Sequence, residues 1–220
     1  EPTKSMRLGS LIHTLVLEPH EFGAKYVIQP DFGRTKPELE KKEHFFEENK
    51  GKIIIKDKEV DKAERCIRYI PDHVMDIINA GKTEYVINQP ISNLPFKGII
   101  DCYNDRVIEV KTTSESSADK LIASFFNLKY PMQAAIYGVL AKKEFGLDYY
   151  PNTTYLVIQT VAPYRAYFIE ADKDYHIYGQ RLLDKVISTF NYTNKESLWD
   201  NGWDIQSIGL PAWASKQIEE

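Results

Sequence analysis

The chain has 220 residues, of which 43% are hydrophobic and 27% are charged, and its formal net charge is −4. This composition is typical of a globular protein with one sizeable core. The longest apolar runs, such as residues 53–55, are far too short to span a bilayer, so we expect no membrane segment. The acidic balance argues against a protein that coats nucleic acid through its overall charge, so any DNA contact has to come from a local basic lining.

The two cysteines, Cys66 and Cys102, argue against several kinds of site. They form no CxxC pair and have no histidine cluster beside them, so a disulfide framework, a zinc knuckle or an iron–sulfur cluster is not expected. Cys102 lies in an apolar strand pattern, and we interpret it as a small core residue. The first residues lack a secretory signal, which predicts a cytoplasmic location, and the start at Glu1 leads us to expect further residues upstream.

The first predicted element is a helix over residues 6–17, which Pro19 terminates. Its apolar stripe consists of Leu8, Leu11, Ile12, Leu15 and Val16. His13 falls next to this stripe. On spacing alone, a histidine there is more often a core residue than a ligand, and both interpretations stay open.

The remaining predicted elements alternate between helices and strands. We expect a loop and an exposed, charged helix over residues 29–52, a short strand at 52–56, helices at 58–70 and up to Ala80, strands at 83–87, 96–103 and 106–111, helices at 118–127 and 131–145, strands at 153–161 and 165–169, and a helix at 173–190. The tail carries Trp199, Trp203 and Trp213, which we expect to pack over the domain or against a partner.

This order of elements predicts an α/β fold with a mixed central β-sheet and α-helices on both faces. We interpret residues 1–220 as a single domain. Within it, residues 1–82 form a mainly helical N-terminal part, residues 83–171 a sheet core, and residues 172–220 a C-terminal helix and tail.

The most informative segment is the strand that contains Ile108-Glu109-Val110-Lys111. Strict alternation puts Glu109 and Lys111 on one face of the strand and the two apolar side chains on the other. An acid and a base therefore point in the same direction. By itself such a tripeptide is more often an exposed ion pair on a strand than part of a site.

The preceding strand brings a second carboxylate, that of Asp101. If a three-residue turn pairs Tyr103 with Val107, Asp101 lies opposite Glu109, with about 5 Å between their β-carbons. A two-residue turn would send Asp101 to the other face. The apolar pattern favours the three-residue turn, because four apolar side chains then share one face: Ile100, Cys102, Ile108 and Val110.

Two neighbouring carboxylates repel each other unless a cation lies between them, and oxygen-rich sites favour hard divalent ions such as Mg²⁺ or Mn²⁺. Lys111 adds an ammonium that can orient or deprotonate an attacking water and offset charge on a phosphate. These groups together fit hydrolysis of a phosphodiester, with Asp101, Glu109 and Lys111 as the catalytic core. A strand with an exposed ion pair remains the alternative interpretation.

Three further polar residues are candidates for the same site. Gln133 and Tyr137 lie one turn apart on a predicted helix and so share a face. Gln133 is hard to explain as a core residue among apolar neighbours, whereas Tyr137 has an ordinary packing interpretation. Glu84, on the strand before the hairpin, completes the carboxylate cluster or is an ordinary exposed residue.

Five sequence features, in their order along the chain, resemble the PD-(D/E)xK nuclease superfamily. They are Leu-Gly-Ser-Leu-Ile-His13, Glu84, Gly98-Ile-Ile-Asp101, Glu109-Val-Lys111-Thr-Thr and Tyr130-Pro-Met-Gln133-Ala-Ala-Ile-Tyr137. More narrowly, the chain is similar to RecE-like phage exonucleases of the exodeoxyribonuclease VIII type, over most of its length. One departure is that Ile100, not a proline, precedes Asp101.

The resemblance implies a restriction-endonuclease-like core with a two-metal site. It implies Asp101, Glu109 and the Val110 carbonyl as ligands of Mg²⁺ or Mn²⁺, with His13 and Glu84 as further metal-site residues. Lys111 would act on the attacking water. Gln133 and Tyr137 would position Lys111 or the DNA phosphate.

The resemblance also implies 5′ to 3′ digestion of linear double-stranded DNA in a bacterial or phage-infected cell, for phage or prophage recombination. Partners would be DNA ends, further copies of the chain in a ring of three or four, and a single-strand annealing recombinase. Two alternatives remain: another PD-(D/E)xK endonuclease or RecB-type nuclease domain, and a catalytically silent DNA-binding module.

Overall fold

The computed structural model describes residues 2–195, and the side chains of residues 2–192. In chain order its elements are α1 (Lys4–Leu17), a 3₁₀ turn (Pro19–Glu21), α2 (Phe22–Lys25), β1 (Tyr26–Ile28), α3 (Lys36–Glu48), β2 (Ile53–Ile55), α4 (Asp57–Ile67), α5 (Asp72–Asn79), β3 (Lys82–Ile91), β4 (Leu94–Tyr103), β5 (Val107–Thr113), α6 (Ala118–Asn127), α7 (Tyr130–Glu144), β6 (Thr153–Gln159), β7 (Ala166–Glu170) and α8 (Lys173–Lys195). None of the described helices is both long and apolar enough to cross a membrane.

The contacts group the chain into two units, residues 1–183 and residues 184–220. The first unit contains both sheets and all helices up to the first half of α8. In the second unit, the described residues are the C-terminal part of α8, where the Ser188 hydroxyl donates to the Asp184 carbonyl at 2.7 Å. A single domain over residues 1–220 stays a prediction, and the three tail tryptophans lie outside the described residues.

Five strands form a mixed sheet in the order β3-β4-β5-β6-β7. All neighbours are antiparallel except β5 and β6, which are parallel and connected through α6 and α7. A parallel pair needs such a crossover because the chain has to return to the same end of the sheet. A separate parallel pair is formed by β1 and β2.

Strand β6 shows that helices cover both faces of this sheet. Leu156 and Ile158 pack in one cluster with residues of α1, α4 and α5, whereas Tyr155 and Val157 pack in another with residues of α6. Alternate residues of a strand point to opposite faces. The predicted fold class, a mixed sheet between helices, is confirmed.

Helix α1 lies close to β5, and this contact brings the N-terminal part of the chain to the sheet. The Thr3 hydroxyl caps the helix by accepting from the Met6 amide at 3.3 Å. The helix then buries Leu11, Ile12, Val16 and Leu17. A Cβ on Gly9 would lie 3.2 Å from the Thr112 hydroxyl oxygen, so a glycine at this position allows the close approach.

The hairpin of β3 and β4 is longer than the strands predicted at residues 83–87 and 96–103. The two strands extend toward each other and are joined by Ser92 and Asn93, whose φ angles are +48° and +66°. Positive φ at both positions is typical of the two-residue turns that fit twisted hairpins. Pro90 and Pro95 made this part of the sequence look unlike a strand, so the full length of the hairpin was not predicted. They are tolerated because β3 is an edge strand and β4 pairs with β5 only near its end.

Strand β1, like the preceding 3₁₀ turn and α2, was not predicted from the sequence. Only three residues long, it is too short to show a periodic pattern. The helix expected in residues 29–52 is present as α3, and it is exposed as predicted, since none of its residues is buried.

Candidate active site

The hairpin of β4 and β5 has the predicted register. Tyr103 pairs with Val107 and Cys102 with Ile108, which confirms the three-residue turn. Cys102 and Ile108 are fully buried and pack in the cluster with α1, α4 and α5, so Cys102 is a core residue as predicted. Ile100 is also buried, but it lies outside that cluster.

Beyond these two pairs the regular backbone pairing of β4 and β5 stops. There the Asp101 and Glu109 side chains accept hydrogen bonds from backbone amides of the opposite strand. The Val110 amide donates to Asp101 Oδ2 at 2.7 Å. The Asp101 amide donates to Glu109 Oε1 at 3.5 Å, a long contact. Each carboxylate therefore reaches toward the backbone of the other strand, and the two acids lie together as predicted.

Asp101 also meets two side chains from other elements. His13 of α1, Glu84 of β3 and Asp101 each offer a ligand atom, and these three atoms lie within 4.8 Å of one another. His13 Nδ1 is 3.9 Å from Asp101 Oδ2. Glu84 occupies the position across from Asp101, between the pairs Thr83–Cys102 and Tyr85–Ile100. Its φ of +47° interrupts the regular pairing there.

These three residues fit a divalent cation. They supply one imidazole nitrogen and two carboxylates, and the carboxylates suit ions such as Mn²⁺ and Mg²⁺. Among residues 2–195, this is the one group of three or more histidine, cysteine or acidic side chains that lie so close together. Spacing alone placed the ion between Asp101 and Glu109, and the resemblance added His13 and Glu84, which the structure groups with Asp101. Ligation by Glu109 and by the Val110 carbonyl stays a prediction.

Glu109 and Lys111 form a buried ion pair on β5. Lys111 Nζ lies 2.9 Å from Glu109 Oε2, and only 2% of the Glu109 side chain and 15% of the Lys111 side chain are exposed. Burial, and then the charge of Asp101, raise the pKa of Glu109 to about 7. Burial opposes the charge on Lys111, but the carboxylates of Glu109 and Asp101 outweigh it and raise the pKa of Lys111. The ammonium therefore keeps its proton at neutral pH.

His13 and Glu84 respond to the same surroundings. Burial lowers the pKa of His13, although the Asp101 charge and a hydrogen bond to the Val110 carbonyl act in the opposite direction. His13 is therefore neutral at pH 7 and keeps a lone pair for a ligand. Burial, followed by the charge of Asp101, raises the pKa of Glu84. A carboxylate pushed toward its neutral form gains from a nearby cation.

Gln133 and Tyr137 share a face of α7, as predicted. Gln133 Nε2 lies 3.3 Å from the Tyr137 hydroxyl, and the Gln133 Oε1 atom is buried without a hydrogen-bond partner among the described residues. Burial, and then the charge of Glu109, raise the pKa of Tyr137. Gly98 lets this ring approach β4, since a Cβ on Gly98 would lie 3.0 Å from Tyr137 Cε1. Contact of either residue with Lys111 stays a prediction.

A cavity of about 420 Å³ is lined by His13 and Glu84 together with residues that the sequence analysis did not single out. Lys25 and Glu18 line it and pair with each other, with Lys25 Nζ 2.6 Å from Glu18 Oε2. This hydrogen bond raises the pKa of Lys25. Lys25 ends a four-residue helix, too short for any periodic signal. Glu18 precedes the proline that ends α1, and the sequence assigned it no role in the site.

The sequence profile of the family described as "PDDEXK-like domain of unknown function (DUF3799)" matches residues 1–201. The chain belongs to this family. It is thereby placed in the PD-(D/E)xK nuclease superfamily, as its motifs predicted. No curated protein matches the chain.

The fold of this PDDEXK-like chain is similar to a crystal structure from Eubacterium rectale that is named "Putative exonuclease". The two share 13% sequence identity with a TM-score of 0.60, and the similarity covers 96% of this chain and 77% of the other. At this identity the likeness shows the common fold, a mixed sheet flanked by helices. Together with the family, it identifies the chain as having the architecture of a nuclease.

Proposed function

We propose that this chain is a divalent-metal-dependent exodeoxyribonuclease that digests linear double-stranded DNA in the 5′ to 3′ direction. The observation that carries the proposal is the convergence of His13, Glu84 and Asp101 beside the Glu109–Lys111 pair. The PDDEXK-like family and the fold shared with a protein named as an exonuclease support it.

In this proposal His13, Glu84 and Asp101 hold divalent cations, with Glu109 and the Val110 carbonyl as further ligands of a two-ion centre. Bound Mg²⁺ or Mn²⁺ supplies a Lewis acid for phosphodiester hydrolysis. Glu109 has a second task, because its Oε2 atom holds the Lys111 ammonium 2.9 Å away. Asp101 links the two parts of the site, since its side chain accepts from the Val110 amide and lies near His13.

Lys111 stabilises the negative charge that develops on the scissile phosphate and orients the attacking water. Its raised pKa supports this role over that of a general base, because a base has to be deprotonated before it can accept a proton. Gln133 and Tyr137 position the water, Lys111 or the phosphate. The buried Gln133 Oε1 atom, which has no partner among the described residues, is an acceptor for such a contact.

A comparison of DNA forms tests this proposal. We expect Mg²⁺- or Mn²⁺-dependent release of nucleotides from linear duplexes and no cleavage of covalently closed circles. Duplexes labelled at either the 5′ or the 3′ end give the polarity, because a 5′ to 3′ enzyme releases the 5′ label first. Cleavage of closed circles as fast as linear DNA would instead identify an endonuclease. DNA binding without cleavage under any metal would identify a silent binding module.

The proposed assembly is a homo-oligomeric ring of three or four copies around DNA ends, which passes a single strand to an annealing recombinase during phage or prophage recombination. A ring would concentrate basic side chains around a central channel although the chain carries a net charge of −4. Light scattering tests the ring. A monomer at all concentrations that support digestion contradicts this part of the proposal and leaves the nuclease assignment standing.

A further inference from the structure

The Lys111 ammonium has a second contact, which is aromatic. Its Nζ atom lies 4.8 Å from the centroid of the Tyr130 ring, within the range of a cation–π contact. Tyr130 is the first residue of α7. We propose that Tyr130 is a positioning residue that holds the Lys111 ammonium toward the scissile phosphate through this contact. The inference rests on the proposed nuclease function.

Lysine needs such a contact because its ammonium is carried on four flexible methylene groups. The hydrogen bond to Glu109 Oε2 holds Nζ at 2.9 Å from that atom. A single partner, however, leaves Nζ free to rotate around it. A ring face provides a second, broad point of attraction. The two contacts together restrict Nζ to a small region, and this restriction is what catalysis by positioning requires.

The Tyr130 ring is itself held firmly by other aromatic residues. Phe125 meets it edge-on with ring centroids 5.0 Å apart, and Tyr155 stacks near it at 6.2 Å. The Tyr155 hydroxyl donates to the Tyr130 carbonyl at 3.2 Å, and the Tyr175 hydroxyl donates to the Tyr155 hydroxyl at 3.2 Å. This support comes from α6, β6 and α8, so the ring is part of a preformed structure.

Cation–π attraction depends on the negative face of the ring, whereas packing depends on its size. The two contributions can therefore be separated. We expect Tyr130→Phe to keep most of the activity and Tyr130→Leu to lower kcat roughly 10-fold with little change in KM. Phenylalanine analogues with one, two, three or five ring fluorines at position 130 should lower kcat stepwise, since each fluorine weakens the negative face.

Tyr167→Leu is the matched control, because Tyr167 packs against the same aromatic cluster as Tyr130. The control should leave kcat within about twofold. A second test combines variants: in a Lys111→Met background, Tyr130→Leu should cause no further loss. A residue with a merely structural role would lower activity in both backgrounds.

The contact also has a readout that does not depend on activity. In NMR spectra, the Lys111 ε-methylene protons should be shifted upfield by the Tyr130 ring, and this shift should disappear in Tyr130→Leu and remain in Tyr167→Leu. A flat fluorine series, equal losses with and without Lys111, or no ring shift would each overturn the inference. If the wild-type protein hydrolyses no DNA, both the proposed function and this inference are overturned. If the wild-type protein is active and Tyr130→Leu is equally active, only the positioning role is overturned.

Discussion

The two halves of the candidate site are built in opposite ways. His13, Glu84 and Asp101 come from three separate elements, and the first two border a cavity. Glu109 and Lys111 come from one strand, two residues apart, and are largely buried. The first half is a set of partly buried ligand atoms beside a cavity, and the second is an ion pair on one strand supported by an aromatic ring. From this difference we expect that single substitutions in the two halves affect ion binding and charge stabilisation to different extents.

The largest effect is expected from Asp101→Asn, because Asp101 contacts both halves. It should lower metal-dependent digestion of linear DNA on the order of 1,000-fold or more, since the amide cannot replace a charged ligand. Release of acid-soluble nucleotides measures this effect. Asp105→Asn is the matched control, since Asp105 is an exposed residue of the same hairpin. Near-normal activity in Asp101→Asn would contradict its place in the site.

The next largest effect is expected from Lys111→Met, which removes the ammonium and keeps most of the side-chain volume. We expect a loss of kcat on the order of 100-fold. Because Glu109 is then buried without a cation, the free energy of unfolding at pH 8 should also fall by about 3 kcal/mol. Chemical denaturation with EDTA present measures the stability. If activity is lost and stability does not change, the ion pair contributes nothing to the fold.

Burial of Glu109 should also make the stability of the metal-free protein depend on pH. Its pKa is about 7 in the folded chain against 4.5 for the free side chain, so between these values the folded state keeps a proton that the unfolded state has lost. Stability should therefore fall as pH rises from 4.5 to 7, by about 3 kcal/mol from this residue.

Comparison with Glu109→Gln isolates this contribution, because the amide does not titrate. The lowered pKa of His13 acts in the opposite direction near neutral pH in both proteins, so it cancels in the difference between them. Unfolding curves at pH 5, 6, 7 and 8 give the result. Parallel pH profiles for the two proteins would show that Glu109 keeps an ordinary pKa.

The smallest effect concerns His13 and the half of the site that it forms with Glu84 and Asp101. Saturating Mn²⁺ should raise the Tm of the wild-type protein by about 5 °C, because the ion binds the folded chain alone. His13→Ala should reduce this shift by more than half and leave the metal-free Tm within about 2 °C. His20→Ala is the control, since 73% of the His20 side chain is exposed. An undiminished Mn²⁺ shift in His13→Ala would remove His13 from the ligand set.

Features of the site that depend on residues close together in the sequence were predicted correctly from spacing, whereas features that depend on distant residues were not. The three-residue turn between Tyr103 and Val107 was predictable, because one-residue slippage would have sent Asp101 and the apolar side chains to the wrong faces. The shared face of Gln133 and Tyr137 was predictable from the 3.6-residue helical period. Both predictions needed only neighbouring residues and a buried face.

Other features left no local trace. The turn at Ser92 and Asn93 was hidden by two prolines, which the edge of the sheet tolerates. Spacing alone favoured His13 as a core residue, and only its resemblance to a family motif indicated a metal site. The contact of Tyr130 with Lys111 joins the start of a helix to the middle of a strand, and no periodicity relates those positions.

The alternation of apolar and charged residues within β4 and β5 was sufficient to predict that Asp101, Glu109 and Lys111 lie on the same face of the hairpin. Side chains alternate between the two faces of a strand with a period of two residues, and the short turn fixes which residues face each other. The arrival of His13 and Glu84 depended on how α1 packs on β5 and on where β3 pairs with β4. Those positions arise from burial of side chains that are far apart in the chain, and such contacts are determined by the packing of the whole core rather than by any segment alone.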